Sequence, residues 1–348
     1  MIINVRNFGA SGNGIHDDSS AIQAAILEAH KTGGDIFIPA GQYLLSTANY
    51  GNKQDGGKTA AALHVFSNMK LFGEKGTVLM ADCGITHILI NDNGDNDADN
   101  FGVSGYDGGE NICLESIVFD GGALRGNLKC TPINFSHAKN ISLRDLTVIN
   151  TSGGWHCIEI NSSMNVEISG CLLGTGCDCS ELIQLDAATN EGNLGLNDMT
   201  TDRYIRIFHN FFDCDRCRGI GNHGDVNLFD GRQNWAEYIS IYENVFEGSP
   251  DPVEENISAR HRPGFINFVY HTRFLSIYNN TFHRTVKDEK SRSIPFNAVY
   301  VCRSCRHAEE KIHDKTVCVY NNILNGMDSA TDCDSFYTVY NNLVVKTE

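Results

Sequence analysis

Proline is scarce in this chain, six in 348 residues, and tryptophan scarcer still, with two. No Pro-rich linker, low-complexity tract or block of one charge divides the sequence, so it reads as a single domain whose 41% apolar content can fill a core. Nowhere do about 18 apolar residues run together, which argues against a membrane-spanning helix. The opening Met1-Ile2-Ile3-Asn4-Val5-Arg6 lacks the apolar stretch of an export signal. The location expected is cytoplasmic, with phage-associated, or secreted after signal removal, as alternatives. Positive charge is also short: 27 Lys and Arg stand against 43 Asp and Glu, a net charge of -16. Nucleic-acid recognition depends on clustered cations that displace counterions, so a neutral or polyhydroxylated ligand fits this chain better.

What is present is glycine, 34 residues, with β-branched and aromatic residues in short runs, the composition of many strands joined by tight bends. Thirteen cysteines form an odd set without a small-scaffold spacing, and buried thiols in a reducing compartment account for them. The strongest signal is self-similarity. Asn111-Ile-Cys-Leu-Glu-Ser-Ile-Val-Phe119 is matched by the stretches starting at Asn140, Asn165, Tyr204, Tyr238, Phe274, Thr316 and Phe336, spaced 20 to 42 residues apart. Such irregular spacing suits solenoid coils with variable loops. In each unit the second and fourth residues alternate with polar neighbours, as in a strand with one buried face. The seventh residue changes from Ile117, Leu146 and Cys171 to Asn210, Asn244, Asn280, Asn322 and Asn342. Stacked coils would turn that run into a hydrogen-bonded asparagine ladder at a spacing of about 4.8 Å. A β-sandwich gives no reason for such a register.

The opening Ile3-Asn4-Val5-Arg6-Asn7-Phe8-Gly9-Ala10, with Gly12, Gly14, Asp17-Asp18 and Ala21 to Ile26, resembles the amino-terminal signature of pectate-lyase-like β-helix proteins. That superfamily includes polysaccharide lyases, glycoside hydrolases and phage tailspikes. The expected fold is all-β: a single-stranded right-handed parallel β-helix spanning 1–348, with residues 1–45 as an amino-terminal cap and lead-in strand and 60–345 as coils. Asp18 or Ser19 is expected to cap a helix with Ala21, Ile22, Ala25, Ile26 and Ala29 as its apolar stripe, closed by Gly33-Gly34, which plugs the first coil.

A second strand per coil predicts which polar groups converge. Aligning the segments that begin at Thr131, His156, Glu181, Arg218, Gly264 and Asn297 turns their third and fifth residues inward. The fourth residues then form an outward column of Asn134, Glu159, Gln184, Gly221, Asn267 and Tyr300, and the sixth a column of Ser136, Asn161, Asp186, His223, Val269 and Cys302. Glu159 and Asp186, one coil apart and two positions along, are expected about 8 Å from each other. That lies in the range of about 6.5 to 9.5 Å that admits a water between the two carboxylates of an inverting glycosidase. Glu181 offers a closer alternative partner.

The expected function is glycoside hydrolysis on an oligo- or polysaccharide, with Glu159, Glu181 and Asp186 as acid and base and with Arg218 and His223 setting their charge. His156, Trp155, Gln184, Asn161, Asn267, Tyr300, Trp235 and Arg260 are expected to contact substrate, Trp155 as a stacking platform. The long connections 187–203, 225–237 and 249–263 would wall the groove. A polysaccharide lyase using Arg218 or a His as base is the alternative, and a non-catalytic glycan-binding or tailspike-like module is a third reading. Plant-type polygalacturonases carry motifs echoed here only by Asn150-Thr151-Ser152 and Asn222-His223-Gly224, and the clustered aspartates of calcium-dependent pectate lyases are lacking. Neither cofactor nor metal is expected. The pairs Cys214/Cys217 and Cys302/Cys305, with His307 and Cys177-x-Cys179, raise zinc as a lesser possibility, with stacked buried thiols the default. The partner expected is the glycan alone, with no nucleic acid or membrane, and the chain a monomer or homotrimer.

Overall fold

A computed structural model describes residues 1–51, 59–91, 103–153, 156–188, 194–223, 235–249, 264–268, 272–286, 296–301, 316–331 and 337–346 of the chain. These residues form three sheets of 11, 11 and 10 strands, parallel throughout except where Tyr50–Gly51 meets Ala60–Val65. The central coils each lay one strand in each sheet. Glu110–Glu115, Val118–Asp120 and Ile133–Ser136 make one coil; Lys139–Arg144, Thr147–Ile149 and Ile158–Asn161 make the next. The chain is a right-handed parallel β-helix, as the repeat predicts. Its stack starts before residue 60, because Ile2–Asn4 already pairs with Asp35–Ile38 in the first sheet.

The first sheet is the predicted repeat in register: Ile112, Ile141, Val166, Ile205, Ile239, Leu275 and Val317 stand side by side on successive strands. All seven are buried, so the apolar side of the alternation forms a continuous core inside the coils. The polar side stacks as well. At the repeat's first position Asn165 donates to Asn140 at 2.7 Å and Asn140 to Asn111 at 2.9 Å, after which Tyr204, Tyr238 and Phe274 stack with ring centroids 4.9 Å apart. Asn111, Asn140, Asn165, Tyr204, Tyr238 and Phe274 at this position hold a positive φ, 57° at Asn140, where the backbone bends into each strand.

The asparagine ladder forms at the repeat's seventh position. The Nδ2 group of Asn210 donates to Asn244 Oδ1 at 3.0 Å, Asn244 to Asn280 at 3.0 Å, Asn280 to Asn322 at 3.1 Å and Asn322 to Asn342 at 2.9 Å. Each amide also donates to a backbone carbonyl of the coil before it, as Asn244 does to Ile207 at 2.9 Å. A buried side chain at a bend is thereby fully used, satisfying backbone groups that the turn leaves over.

The helix Ser19–Thr32 buries Ile22, Ala25, Ile26 and Ala29 and packs against Ala60–Val65 and the short 3-10 turn Val5–Phe8, closing the first coil. Gly33 ends it in the left-handed conformation with its N–H on Ala29 O at 2.8 Å. The capping expectation needs correction. Asp18 stands at the cap position, but its carboxylate accepts from the backbone N–H groups of Ser11 at 2.7 Å and Gly12 at 2.9 Å, tying down the preceding loop in place of the helix end. The Ser19 hydroxyl donates to Asp17 at 2.6 Å.

Candidate active site

The third sheet carries the candidate site, and its register is the one the sequence predicts. Ile133, Ile158, Ile183, Ile220, Ile266 and Val299 are lateral neighbours facing the core. Asn134 therefore stands beside Glu159, Glu159 beside Gln184, and Gln184 beside Gly221; Ser136, Asn161, Asp186 and His223 follow one another in the same way. Alternation along a strand puts these two columns on the outer face. The diagonal from Glu159 to Asp186 spans one coil spacing and two residue rises, about 8 Å.

That face is covered, which the sequence reading did not anticipate. Glu159 is 6% exposed, Asp186 2% and Glu181 0%. Segments 103–106 and 194–201 lie over the earlier coils of this face, at Ser136 and Ile90. Leu194 N–H donates to Ser136 Oγ at 3.1 Å, and Leu194 packs with Ala61, Ile90 and Tyr50. Leu196 N–H donates to Val103 O at 3.0 Å, and Tyr106 OH to Thr201 O at 2.8 Å. His137 joins the two segments, its ring nitrogens lying 2.8 Å from Gly105 O and 3.1 Å from Leu196 O.

Under the cover the carboxylates have designated partners. Glu159 accepts from Asn134 Nδ2 at 3.0 Å on one oxygen and from Asn161 Nδ2 at 3.2 Å on the other. Asp186 accepts from Gln184 Nε2 at 2.7 Å. Ser136 Oγ donates to Asn134 Oδ1 at 3.1 Å, which fixes that amide with its nitrogen toward Glu159. Glu181, whose direction at the start of its strand was open, turns onto the outer face. One of its oxygens accepts from Arg218 Nη1 at 2.6 Å and the other lies 3.5 Å from His156 Nδ1. Both partners are nearly buried, at 11% and 12% side-chain exposure, so little solvent screens the contacts.

The structure adds a carboxyl that sequence reasoning missed. Asp202, just ahead of the strand Arg203–Phe208, is wholly buried and accepts from Ser163 N–H at 2.8 Å. Burial pushes its pKa well above the ordinary carboxylate value, and the charge of Asp186 adds to the effect. Its position at the end of a long connection concealed it, and Ser162-Ser163 at the matching bend one coil earlier was the only hint.

Other expected contacts are distributed differently. Asn267 and Tyr300 continue the outer column, both about 1% exposed. Trp235 lies just ahead of Ala236–Tyr242 in the first sheet, where its backbone carbonyl accepts from Thr201 Oγ1 at 2.7 Å and the Arg273 guanidinium lies 5.5 Å from its ring centroid. Its indole face is thus occupied by a cation. Trp155, Arg260, the His223 side chain, and most of 225–237 and 249–263 lie outside the described residues, as do Cys302, Cys305 and His307. Among the described residues no three His, Cys, Asp or Glu side chains are grouped to hold a metal ion, and Cys214 and Cys217 are buried thiols.

Comparison with known proteins agrees with the fold. Residues 2–81 match the family described as Rhamnogalacturonase A/epimerase, pectate lyase-like. Mannuronan C5-epimerase AlgE2 of Azotobacter vinelandii is 35% identical over 125 residues, covering 35% of this chain and 11% of that protein. This chain spans about a tenth or less of the length of the curated relatives it matches. Among solved structures, PfbA, a surface adhesin of Streptococcus pneumoniae, aligns with a TM-score of 0.69 at 17% identity over 100% of this chain and 79% of the adhesin. The hyperthermoactive exopolygalacturonase of Thermotoga maritima aligns with a TM-score of 0.58 at 15% identity over 99% of this chain and 76% of the enzyme.

Proposed function

On this pectate-lyase-like right-handed parallel β-helix, we propose an enzyme that cleaves a polysaccharide hydrolytically, with Glu159 and Asp186 as the working carboxylates. The observation that carries the reading is the cross-coil register, Glu159 beside Gln184 and Asn161 beside Asp186, which sets the two acids diagonally on one face. A gap of about 8 Å suits an attacking water between base and acid. Glu159, with an amide donor on each oxygen, serves as the base that activates the water. Asp186, one coil on and two positions along from Glu159, serves as the acid on the other side of that gap. Glu181, Arg218 and His156 position the sugar ring and fix the local charge.

A second reading is proton abstraction beside a uronic carboxylate, leading to elimination or to inversion at C5. The contact of His156 with buried Glu181 favours it, since a carboxylate partner orients an imidazole and fixes its tautomer. The sequence likeness to Mannuronan C5-epimerase AlgE2 points the same way.

One experiment separates these readings. A panel of neutral and uronate-containing polysaccharides is incubated with the protein in deuterated water. New reducing ends without ultraviolet absorbance support hydrolysis, and absorbance from a new double bond supports elimination. Deuterium at C5 without chain scission supports epimerisation. Binding with none of these changes would leave a glycan-gripping module and overturn both readings.

A further inference from the structure

Beneath the His156, Glu181 and Arg218 side chains lies a set of thiols that the proposed chemistry does not use. Cys157 follows His156, Cys179 precedes Glu181 by two residues and Cys217 precedes Arg218. Cys177 completes the set. The Sγ atoms of Cys157 and Cys177 are 3.5 Å apart, and those of Cys179 and Cys217 are 3.1 Å apart. All four are free thiols.

Cys177 differs from the others in its surroundings. The backbone N–H of Thr151 donates to its sulfur at 3.3 Å, the Cys157 thiol lies 3.5 Å from it, and the Cys179 thiol also faces it. These contacts, Cys157 first and Cys179 second, draw its pKa down to about 4, whereas burial pushes Cys157 and Cys179 up. A sulfur that accepts a backbone N–H beside a second thiol is placed to react as the thiolate, the nucleophilic form of cysteine. Cys177 is itself buried, but Thr175, Gly176 and Asp178 beside it in the turn are exposed. Cys179, by contrast, is tied to Cys217.

We propose that Cys177 and Cys157 form a reversible dithiol/disulfide site that reacts with hydroperoxides. The Cys177 thiolate attacks the terminal peroxide oxygen, the O–O bond breaks, and the alcohol, or water from hydrogen peroxide, departs with a proton. Cys177 becomes a sulfenic acid. The Cys157 sulfur then attacks the Cys177 sulfur and displaces water, so two thiols and one hydroperoxide give one disulfide, one alcohol and one water. The bond shortens the sulfur separation from 3.5 Å to about 2.05 Å. It draws the coil that carries His156 toward the turn at Cys177, coupling the oxidation state to the position of His156 against Glu181.

The test treats the intact folded chain with hydrogen peroxide, blocks remaining thiols with an alkylating reagent and maps peptides without reductant. The expected result is a Cys157–Cys177 linked peptide that a dithiol reductant dissolves. In Cys157→Ser the expected product is a sulfenic acid at Cys177, trapped by dimedone. Oxidation confined to the exposed Cys83, with Cys177 still alkylated, would overturn the proposal, as would a link from Cys177 to Cys179 in place of Cys157. The wild-type map decides the question even if the Cys157 variant folds poorly.

Discussion

Glu181 lies across the bare α-carbon of Gly221: a Cβ at position 221 would stand 2.5 Å from Glu181 Cγ and 3.2 Å from its Oε1. The glycine in the outer column is therefore the space that Glu181 occupies, and it turns the carboxylate toward Arg218 and His156.

Gly221→Ala is accordingly expected to displace Glu181 while leaving the sheet intact. The overpacking cost is about 1 to 3 kcal/mol, and activity on whichever polymer is accepted should fall by about tenfold or more. Turnover measured beside a thermal melt checks this, and full activity in a folded variant would contradict the role given to Glu181.

Arg218→Met leaves a fully buried carboxylate without its 2.6 Å partner, a loss expected to cost about 3 to 5 kcal/mol. Glu181→Gln in the same chain should restore much of that stability and none of the activity. Denaturant titration of the two single variants and the double variant gives the coupling directly.

Two groups give opposite pH slopes. His64 is buried with its ring edge-on to Tyr50, its Nε2 lacks a hydrogen-bond partner, and burial lowers its pKa from 6.5 to about 4. Between those values the unfolded chain takes up a proton that the native state refuses, so stability present above pH 6.5 is lost as pH falls. Asp202 is raised above 3.8, so the native state keeps a proton that the unfolded chain releases, and its contribution is lost as pH rises. Melting curves against pH should show His64→Phe flattening the acid side and Asp202→Asn stabilising the protein at neutral pH. A neutral-pH melting point unchanged by Asp202→Asn would contradict a retained proton there.

Asn244→Ala removes an acceptor for Asn210 and the donor to Ile207 O and Asn280 Oδ1 in one step. With those buried groups left unmet, the expected loss is about 2 to 3 kcal/mol. Asn342→Ala, at the last rung, breaks fewer such bonds and should cost less. Urea midpoints of the two variants test the ordering.

Much of this molecule was legible before its structure because a period of two fixes which side of a strand each residue faces. Once Ile158, Ile183 and Ile220 align, Glu159, Gln184 and Asp186 have no freedom to be elsewhere. What escaped was governed by contacts without a period. The direction of Glu181 depended on an absent side chain one coil away at Gly221, and glycine in a strand pattern reads as a bend as easily as a space. Asp202 lay at the end of a long connection, where no repeat marks its depth. The cover built from Val103, His137 and Leu196 joins residues far apart in sequence through backbone carbonyls, which leave no compositional trace.

The described coils touch chiefly their immediate neighbours, so the molecule transmits disturbance as a row of coupled links does. A change near Asn322 must cross the strands at Tyr300, Asn267 and Gly221 before Glu159 can feel it, weakening at each step. Distant rungs are therefore free to vary in sequence while the chemistry in the middle of the row stays as it is.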